Sequence, residues 1–331
     1  MTVRNGIAAI ALVVLAAGCG SRESEAPPAA RDQQSGSSAA TASALPDRIT
    51  ITEGAGLTPE GVEYDTKGER FLVGSISRGT VFVVGTDGSL TPFAEDAELR
   101  STVGIEVDEE RNRLLVANSD ASAFGGQSAA QAKLGIFDLG SGSRIAMIDL
   151  AAAGPKDAKS HFANDLTVGS DGSVYVTDTM ARVVYRVDSD NNVSVFLPPD
   201  FAGDQQPALN GIVFHPSGFL LIADMRGGQI YKVPVDDPKK ATAVKLSEPV
   251  TGADGLVLHP NGNLIVVRND DSRSIVALSS TDDWETATVA ARGTASGQAT
   301  TAAIVGEDVY VVYPFFGDQQ AQPYIERIPL Q

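Results

Sequence analysis

One pattern of strands and turns is repeated six times along this chain. Aligned on itself, the sequence divides into units of about 45 residues in which β-branched runs alternate with turn sequences. Units of this length with about four strands each are typical of propeller blades, whose twisted sheets pack face to face around a central channel. The repeat therefore predicts an all-β fold, a six-bladed β-propeller. The units start near Leu57, Ser101, His161, Pro207, Thr251 and Gly297.

The repeat also predicts where the ring closes and where it carries an insertion. A strand at residues 48–52 precedes the first complete unit, and a strand near residues 324–328 ends the chain. We expect the N-terminal strand to join the last blade, which closes the ring and removes an exposed strand edge. The stretch 121–133, rich in Gly, Ser and Ala, indicates an inserted loop. The predicted second strands of the units contain residues 71–73, 114–116, 174–176, 220–222, 264–267 and 309–312.

The first 19 residues are typical of a processing segment. Arg4 provides a positive start, and residues 6–17 form an apolar stretch that is too short to span a membrane as a helix. The stretch ends in Leu-Ala-Ala-Gly-Cys at residues 15–19, which resembles a bacterial lipobox. The resemblance implies cleavage before Cys19 and lipidation of its sulfur. We therefore expect a lipid-anchored lipoprotein of the cell envelope, on the periplasmic or extracellular face of its membrane.

Composition divides the rest of the chain into a tether and one folded domain. Residues 20–46 are mostly Ser, Ala, Pro, Gln and Glu and cannot bury enough apolar surface to fold, which predicts a disordered tether. Residues 47–331 carry the repeats and are predicted to form the propeller. Cys19 is the only cysteine, so the domain has no disulfide, cysteine zinc site or thiol nucleophile. The net charge of −17 argues against nucleic acid as a partner, and we expect a monomer.

One position in front of the innermost strand carries an oxygen-bearing side chain in four of the six units. These residues are Glu60, Asn164, Asn210 and Asp254. Because equivalent positions in a propeller lie at equivalent radius and height, we expect these side chains to converge on the axis. Two carboxylates and two amide carbonyls form an all-oxygen set that suits a divalent cation, Ca²⁺ best of all. The other two units have Val103 and Thr300 there, which leaves one side of the ring apolar and available to substrate.

The motifs around these residues connect the chain to a known family. They are Pro-Glu-Gly at 59–61, Phe-Ala-Asn-Asp at 162–165, Leu-Asn-Gly-Ile at 209–212 and Ala-Asp-Gly-Leu at 253–256. With them the chain resembles the gluconolactonase/SMP-30 (regucalcin-like) superfamily, whose relatives include diisopropylfluorophosphatase and the paraoxonases. The resemblance, which covers residues 57–331, implies a Ca²⁺-dependent hydrolase of esters or lactones whose metal is held by the four residues above. Asp254 would then act as general base towards water or as direct nucleophile.

Positions beside the ring modify what the resemblance implies about the substrate. Sugar-acid lactonases of the family carry an arginine two residues before the position of Asn164, and this chain has Phe162 there. A small or apolar ester is therefore expected rather than a polar sugar lactone, with Phe162, Val103 and Thr300 as substrate-binding residues. His161, three residues before Asn164, is predicted to reach the mouth of the channel as a catalytic acid or base.

A second class of function remains open from the sequence. The runs 59–62 and 104–108 would equally suit a non-catalytic propeller, similar to NHL-repeat proteins, that binds a protein or a ligand on its top face. We prefer the hydrolase because a binding module has no need of four converging oxygen ligands. Its partners would be a small ester or lactone and, through the lipid, the membrane. The loops 121–133 and 315–323 are expected to decide which substrate is bound.

Overall fold

Strands that are buried on both faces form the framework. The computed structural model describes residues 45–125, 131–203 and 208–331. In β7 (Arg113–Ser119), Leu114 packs against the preceding sheet and Leu115 packs against the following one. Because successive side chains of a strand point to opposite faces, a strand between two sheets needs apolar residues at nearly every position. This requirement explains the continuous apolar runs in the sequence.

Six antiparallel sheets follow one another around a closed ring in the described part of the chain. Each blade begins with the strand nearest the axis, and the first strands of neighbouring blades contact each other in order around the ring. The prediction of an all-β, six-bladed β-propeller is therefore confirmed. The strands of blades one to three are β2 (Val62–Asp65), β3 (Arg70–Val73), β4 (Thr80–Val84) and β5 (Leu90–Glu95), then β6 (Ser101–Asp108), β7, β8 (Ala132–Asp138) and β9 (Arg144–Asp149), then β10 (Ala163–Val168), β11 (Val174–Asp178), β12 (Val183–Val187) and β13 (Val193–Leu197).

Blades four to six repeat this order with one additional strand and one closing strand. The strands are β14 (Leu209–His215), β15 (Phe219–Asp224), β16 (Gln229–Pro234) and β17 (Thr242–Ala243), then β18 (Lys245–Leu246), β19 (Ala253–Leu258), β20 (Leu264–Arg268), β21 (Ser274–Ser279) and β22 (Thr286–Thr294), then β23 (Ala302–Val305), β24 (Asp308–Val312), β25 (Tyr324–Ile328) and β1 (Arg48–Thr50). After β17, the chain continues into β18, which pairs in parallel with the outer strand β22 of blade five. The two-residue β18 thus covers part of that outer edge.

The N-terminal strand completes the last blade, as predicted. β1 pairs antiparallel with β25, and Ile49 lies opposite Ile325. Ile49 is 1% exposed and packs in the apolar layer between the last and first blades. Beside it, Arg48 forms an ion pair with Glu326 and donates a hydrogen bond of 3.0 Å to the hydroxyl of Ser296. Backbone pairing, apolar packing and charged contacts therefore all act at the closure.

Glycine permits the tight turns between first and second strands. Blades three, four and five have their turns at the positions that the sequence predicts, 170–173, 215–218 and 259–262. Each turn has a glycine in the left-handed region, a backbone conformation that side-chain-bearing residues adopt only at a cost. The φ angles are 81° at Gly172, 89° at Gly218 and 88° at Gly262.

The stretch predicted as an inserted loop is only partly a loop. Its first residues form a 3-10 helix, Ala121–Gly125, whereas Ala132 belongs to β8, where it is buried and pairs with Ser119. The prediction therefore extended too far, because alanine fits a buried strand as well as a loop. Further short 3-10 helices in the described ranges include Ala151–Ala153 and Pro238–Lys240. Over the described ranges we find no helix with the length and hydropathy needed to cross a membrane.

Apolar layers between neighbouring blades hold the ring together. The buried apolar residues of the described chain fall into six clusters, and each cluster draws on two adjacent blades. The layer between blades two and three, for example, contains Leu134, Phe162 and Tyr185. Since each blade shares one layer with each neighbour, no blade buries its apolar surface alone.

The predicted N-terminal segments lie almost entirely outside the described residues. The signal segment, Cys19 and the tether up to residue 44 belong to this part, so their assignments stay predictions. Leu45, the first described residue, packs partly against the apolar layer between the last and first blades. The described residues from Leu45 to Gln331 form one compact unit.

Candidate functional site

The four oxygen-bearing side chains of the repeat line one cavity on the axis. The cavity has a volume of about 410 Å³ and lies at the end of the channel where the first strands begin. Asn164, Asn210 and Asp254 are each the second residue of the first strand of their blade, whereas Glu60 lies two residues before β2. The structure thus brings together all four residues predicted as metal ligands.

The pairing between first and second strands is irregular at three of these four residues. In blades three, four and five, the pairing of the first strand with the second shifts between the first and the fourth residue of the first strand. Asn164, Asn210 and Asp254 lie inside these irregularities. A β-bulge of this kind bends the strand and redirects a side chain, and bulges are frequent beside active sites. Blade two has the same shift around Val103.

Burial raises the pKa of both carboxyl groups of the set. Glu60 is 8% exposed and Asp254 is 5% exposed. Burial, then the charge of Asp254 and then that of Asp165, raise the pKa of Glu60 well above its ordinary value. Burial, and then the charge of Asp165, also raise the pKa of Asp254 well above its ordinary value. A hydrogen bond with the Asn210 side chain offsets part of this increase. No arginine, lysine or histidine is among the described residues that line this cavity, so no protein cation compensates the two carboxylates.

Thr179 orients the amide of Asn164. The Thr179 hydroxyl lies 2.6 Å from the carbonyl oxygen of Leu209, to which it donates its single hydrogen. It can therefore only accept from Asn164, whose Nδ2 lies 2.9 Å away. This directs Nδ2 towards Thr179 and leaves Oδ1 of Asn164 as a buried oxygen without a hydrogen-bond partner. Among the described side chains it is the one buried oxygen or nitrogen in that condition.

The residues fit a hard divalent cation. An unpartnered buried amide oxygen costs free energy, and a cation that accepts its lone pair removes that cost. Two carboxylates and two amide oxygens form the kind of donor set that Ca²⁺ prefers. Among the described residues, no three His, Cys, Asp or Glu side chains come together as metal ligands. The candidate set contains only two such side chains, because its other two members are asparagines.

Apolar side chains line the rest of this cavity. Phe162 and Val103, both predicted to contact substrate, are among them and are each 1% exposed. The others are not among the residues predicted from the sequence. Some come from the loops 121–133 and 315–323, which are expected to decide which substrate is bound. The rest follow the second strands of their blades at one equivalent position of the repeat, which the sequence prediction did not use. These additional lining residues are the apolar Ile76, Ala121, Phe124, Met225 and Phe316 and the polar Asn269.

Two predicted site residues do not line the cavity. Thr300 is 1% exposed, and its hydroxyl donates a 2.7 Å hydrogen bond to the backbone carbonyl of Glu60, so it contacts a predicted ligand residue and does not line the cavity. His161 is 8% exposed, and its Nδ1 lies 2.9 Å from the carboxylate of Asp178. The hydroxyl of Tyr185 donates to the same carboxylate at 3.3 Å. These contacts hold His161 inside blade three, away from the mouth where the sequence predicted it.

A second cavity continues along the axis below the first and contains three further carboxyl groups. Its volume is about 230 Å³, and Glu63, Glu106 and Asp165 line it. Burial, followed by the charge of Asp165, raises the pKa of Glu63 to about 8, and burial raises the pKa of Asp165 to about 7. Acidic residues inside otherwise apolar innermost strands were the signal in the sequence that could have identified this group.

Fold and site together define a class: six-bladed β-propellers with a buried, oxygen-rich cavity on the axis. The family model described as SMP-30/Gluconolactonase/LRE-like region matches residues 58–313, most of the described chain. The chain belongs to this family, in agreement with the resemblance found in the sequence. No curated protein matches the sequence.

Solved structures resemble this chain in fold at low sequence identity. Mala s 1, the major allergen of Malassezia sympodialis, is 21% identical over 86% of this chain and 97% of its own, with a TM-score of 0.71. The calcium-binding protein regucalcin of Agrobacterium tumefaciens is 16% identical over 86% and 95%, with a TM-score of 0.61. Virginiamycin B lyase of Staphylococcus aureus is 14% identical over 80% of each chain, with a TM-score of 0.57.

Proposed function

We propose that this protein is a divalent-cation-dependent hydrolase of lactones or esters, with Ca²⁺ as its metal. One observation carries the proposal: two buried carboxylates and an unpartnered amide oxygen line the same axial cavity. Membership of the SMP-30/gluconolactonase family and the description of regucalcin as a calcium-binding protein support it. A propeller that only binds a partner would gain nothing from burying these groups without compensation.

Five of the lining residues have a role in this reaction. Glu60, Asn164, Asn210 and Asp254 would hold the cation. A bound cation supplies positive charge that stabilises the oxyanion formed when water attacks the substrate carbonyl. Asp254 accepts the proton from the attacking water as general base. The buried wall at Phe162 contacts the apolar part of the substrate and excludes bulk water from the carboxylates.

The test combines metal binding with hydrolysis. The purified protein is analysed for bound calcium and screened against aryl esters and lactones, with calcium and with chelator. Asp254→Asn should lower the rate by at least ~10²-fold, the lower end of what general-base catalysis supplies. Asp271→Asn, on an exposed turn, is the matched control and should leave the rate unchanged.

Two outcomes would contradict the proposal in different ways. Hydrolysis that is indifferent to both chelator and Asp254→Asn would reject the mechanism. A calcium-loaded protein that hydrolyses no ester or lactone would instead favour the non-catalytic binding propeller.

We also propose that Cys19 anchors the protein to the cell envelope through a lipid. The lipobox-like ending at residues 15–19 supports this proposal. Cys19→Ala should move the protein from the membrane fraction to the soluble fraction or leave it as an uncleaved precursor. Normal processing and unchanged membrane association of the variant would reject the anchor.

A further inference from the structure

Two exposed aromatic side chains flank the mouth of the axial cavity. Three large apolar side chains of the described chain are strongly exposed: Phe124 at 61%, Ile145 at 60% and Phe316 at 54%. Phe124 and Phe316 both line the axial cavity, although about 190 residues separate them in sequence. Ile145 lies in β9, the outer strand of blade two. Single exposed apolar residues are common, but two at one cavity mark a binding surface.

Local contacts hold Phe124 at its place. The carboxylate of Asp120 accepts a 3.0 Å hydrogen bond from the backbone N–H of Ser122, which stabilises the start of the 3-10 helix that carries Phe124. The ring of Phe124 packs edge-on against the ring of Phe162, with their centroids 4.5 Å apart. The buried Phe162 thus supports one face of Phe124 while most of its surface stays open to the cavity mouth.

Backbone conformation determines the position of Phe316. The preceding residue, Phe315, has a φ of 51°, a left-handed conformation that is rare for an aromatic residue. Its ring packs against Tyr324 and Tyr313, with centroids 5.7 Å and 6.4 Å apart, and this packing compensates the strain. Because Phe315 turns inward, Phe316 is left on the cavity side.

The cavity wall between these two rings has few groups that could form hydrogen bonds with a polar substrate. The polar side chains that line this cavity are the four proposed ligands and Asn269, whose amide already donates to the carbonyl of Ala299 at 3.1 Å. The volume of about 410 Å³ is within the ordinary range for small-molecule sites. A substrate rich in hydroxyl groups would therefore lose hydrogen bonds to water without replacement.

We infer that the substrate carries an apolar alkyl or aryl group on its scissile ester or lactone, and that Phe124 and Phe316 hold this group and determine specificity. The inference rests on the proposed function. Phe162 in the sequence already favours an apolar ester, and the structure adds the two residues that hold its apolar group. The carbonyl would lie at the oxygen-rich floor and the apolar group between the two rings.

A series of p-nitrophenyl esters tests this inference, from acetate through butyrate and hexanoate to octanoate. Because each buried methylene favours binding by about 0.8 kcal/mol, kcat/KM should rise about fourfold per added CH₂ until the cavity is filled. Phe124→Ala and Phe316→Ala should flatten this rise by raising KM for the longer esters more than for the acetate. Ile145→Ala, equally exposed but outside the cavity, is the control and should keep the full rise.

A binding measurement separates this inference from the proposed function. The neutral apolar dye N-phenyl-1-naphthylamine, added in the presence of chelator, should bind the wild-type protein and the Ile145→Ala variant. It should bind the Phe124→Ala, Phe316→Ala double variant at least about tenfold more weakly. If the dye binds in this way but the protein hydrolyses no ester, the result would support the apolar binding site and reject the proposed hydrolase function. An ester series with no dependence on chain length, or equal dye binding by all variants, would overturn the inference.

Discussion

At the residue scale, the position of one hydroxyl proton determines which atom the Asn164 amide presents to the axial cavity. The amide of Asn164 could in principle present either its oxygen or its nitrogen to the cavity. The donation from Thr179 to the carbonyl of Leu209 removes this ambiguity, because the same hydroxyl must then accept from Asn164 Nδ2. Where such a side chain binds a metal, loss of the group that orients it typically lowers metal affinity by about 10-fold to 100-fold.

The orienting role predicts a specific loss of metal affinity. Thr179→Val removes the acceptor, so the Asn164 amide is free to rotate, and calcium affinity should fall by about 10-fold to 100-fold. Thr179→Ser keeps the hydroxyl and should restore most of the affinity. The affinities are measured by calorimetric titration.

A neighbouring threonine provides the matched control for this prediction. The Thr177 hydroxyl donates to the backbone carbonyl of Asn210 at 2.8 Å and contacts no ligand side chain. Thr177→Val should therefore lower stability without a comparable loss of affinity. Equal losses of affinity in Thr177→Val and Thr179→Val would reject the orienting role.

At the element scale, the three-residue strand β1 closes the ring by two kinds of contact of unequal strength. Ile49 is buried in the layer between the last and first blades. The Arg48 side chain is 46% exposed, although it pairs with Glu326 and lies over the ring of Tyr324 at 4.2 Å. Solvent-exposed ion pairs contribute little, whereas a large apolar side chain removed from a packed core leaves a cavity.

The closure should therefore depend on the apolar contact. Ile49→Ala should lower the free energy of unfolding by about 2–5 kcal/mol, the usual range for such truncations. Arg48→Ala should lower it by no more than about 1 kcal/mol. Urea unfolding of both variants gives the comparison, and a larger effect of Arg48→Ala would mean that the charged contacts hold the ring closed.

At the scale of the whole molecule, the propeller concentrates carboxyl groups on its own axis. Burial, and then the charge of Asp165, raise the pKa of Glu63 from 4.5 to about 8. At intermediate pH, Glu63 is therefore protonated in the folded metal-free protein and ionised in the unfolded chain. The folded state then binds more protons, so stability falls as pH rises. This contribution is complete below about pH 4.5 and is lost as the pH passes through about 8.

The metal-free protein should accordingly melt at a lower temperature at about pH 8 than at about pH 5.5. One carboxyl group changes the free energy of unfolding by at most about 1.4 kcal/mol per pH unit. Glu63→Gln should flatten the dependence, whereas Glu285→Gln, at an exposed position, should not. Melting curves in chelator provide the measurement, and an unchanged pH dependence in Glu63→Gln would contradict the assigned pKa.

The sequence by itself determined the repeat, the six blades, the closing strand and the convergence of Glu60, Asn164, Asn210 and Asp254. All of these follow from periodicity, because a residue at one position of a repeated unit occupies one position in the ring. Continuous β-branched and apolar runs, bounded by turn residues such as Gly172, were sufficient to locate most of the strands.

The aromatic side chains at the mouth of the cavity could be identified only in the folded chain. Phe124 and Phe316 come from loops that share no repeat position, and their meeting depends on how blades two and six are arranged around the ring. Thr300 and His161 occupy promising positions in sequence, yet hydrogen bonds to Glu60 and Asp178 hold them away from the cavity. Local patterns encode position within a blade, whereas hydrogen bonds and packing between distant segments depend on the folded chain.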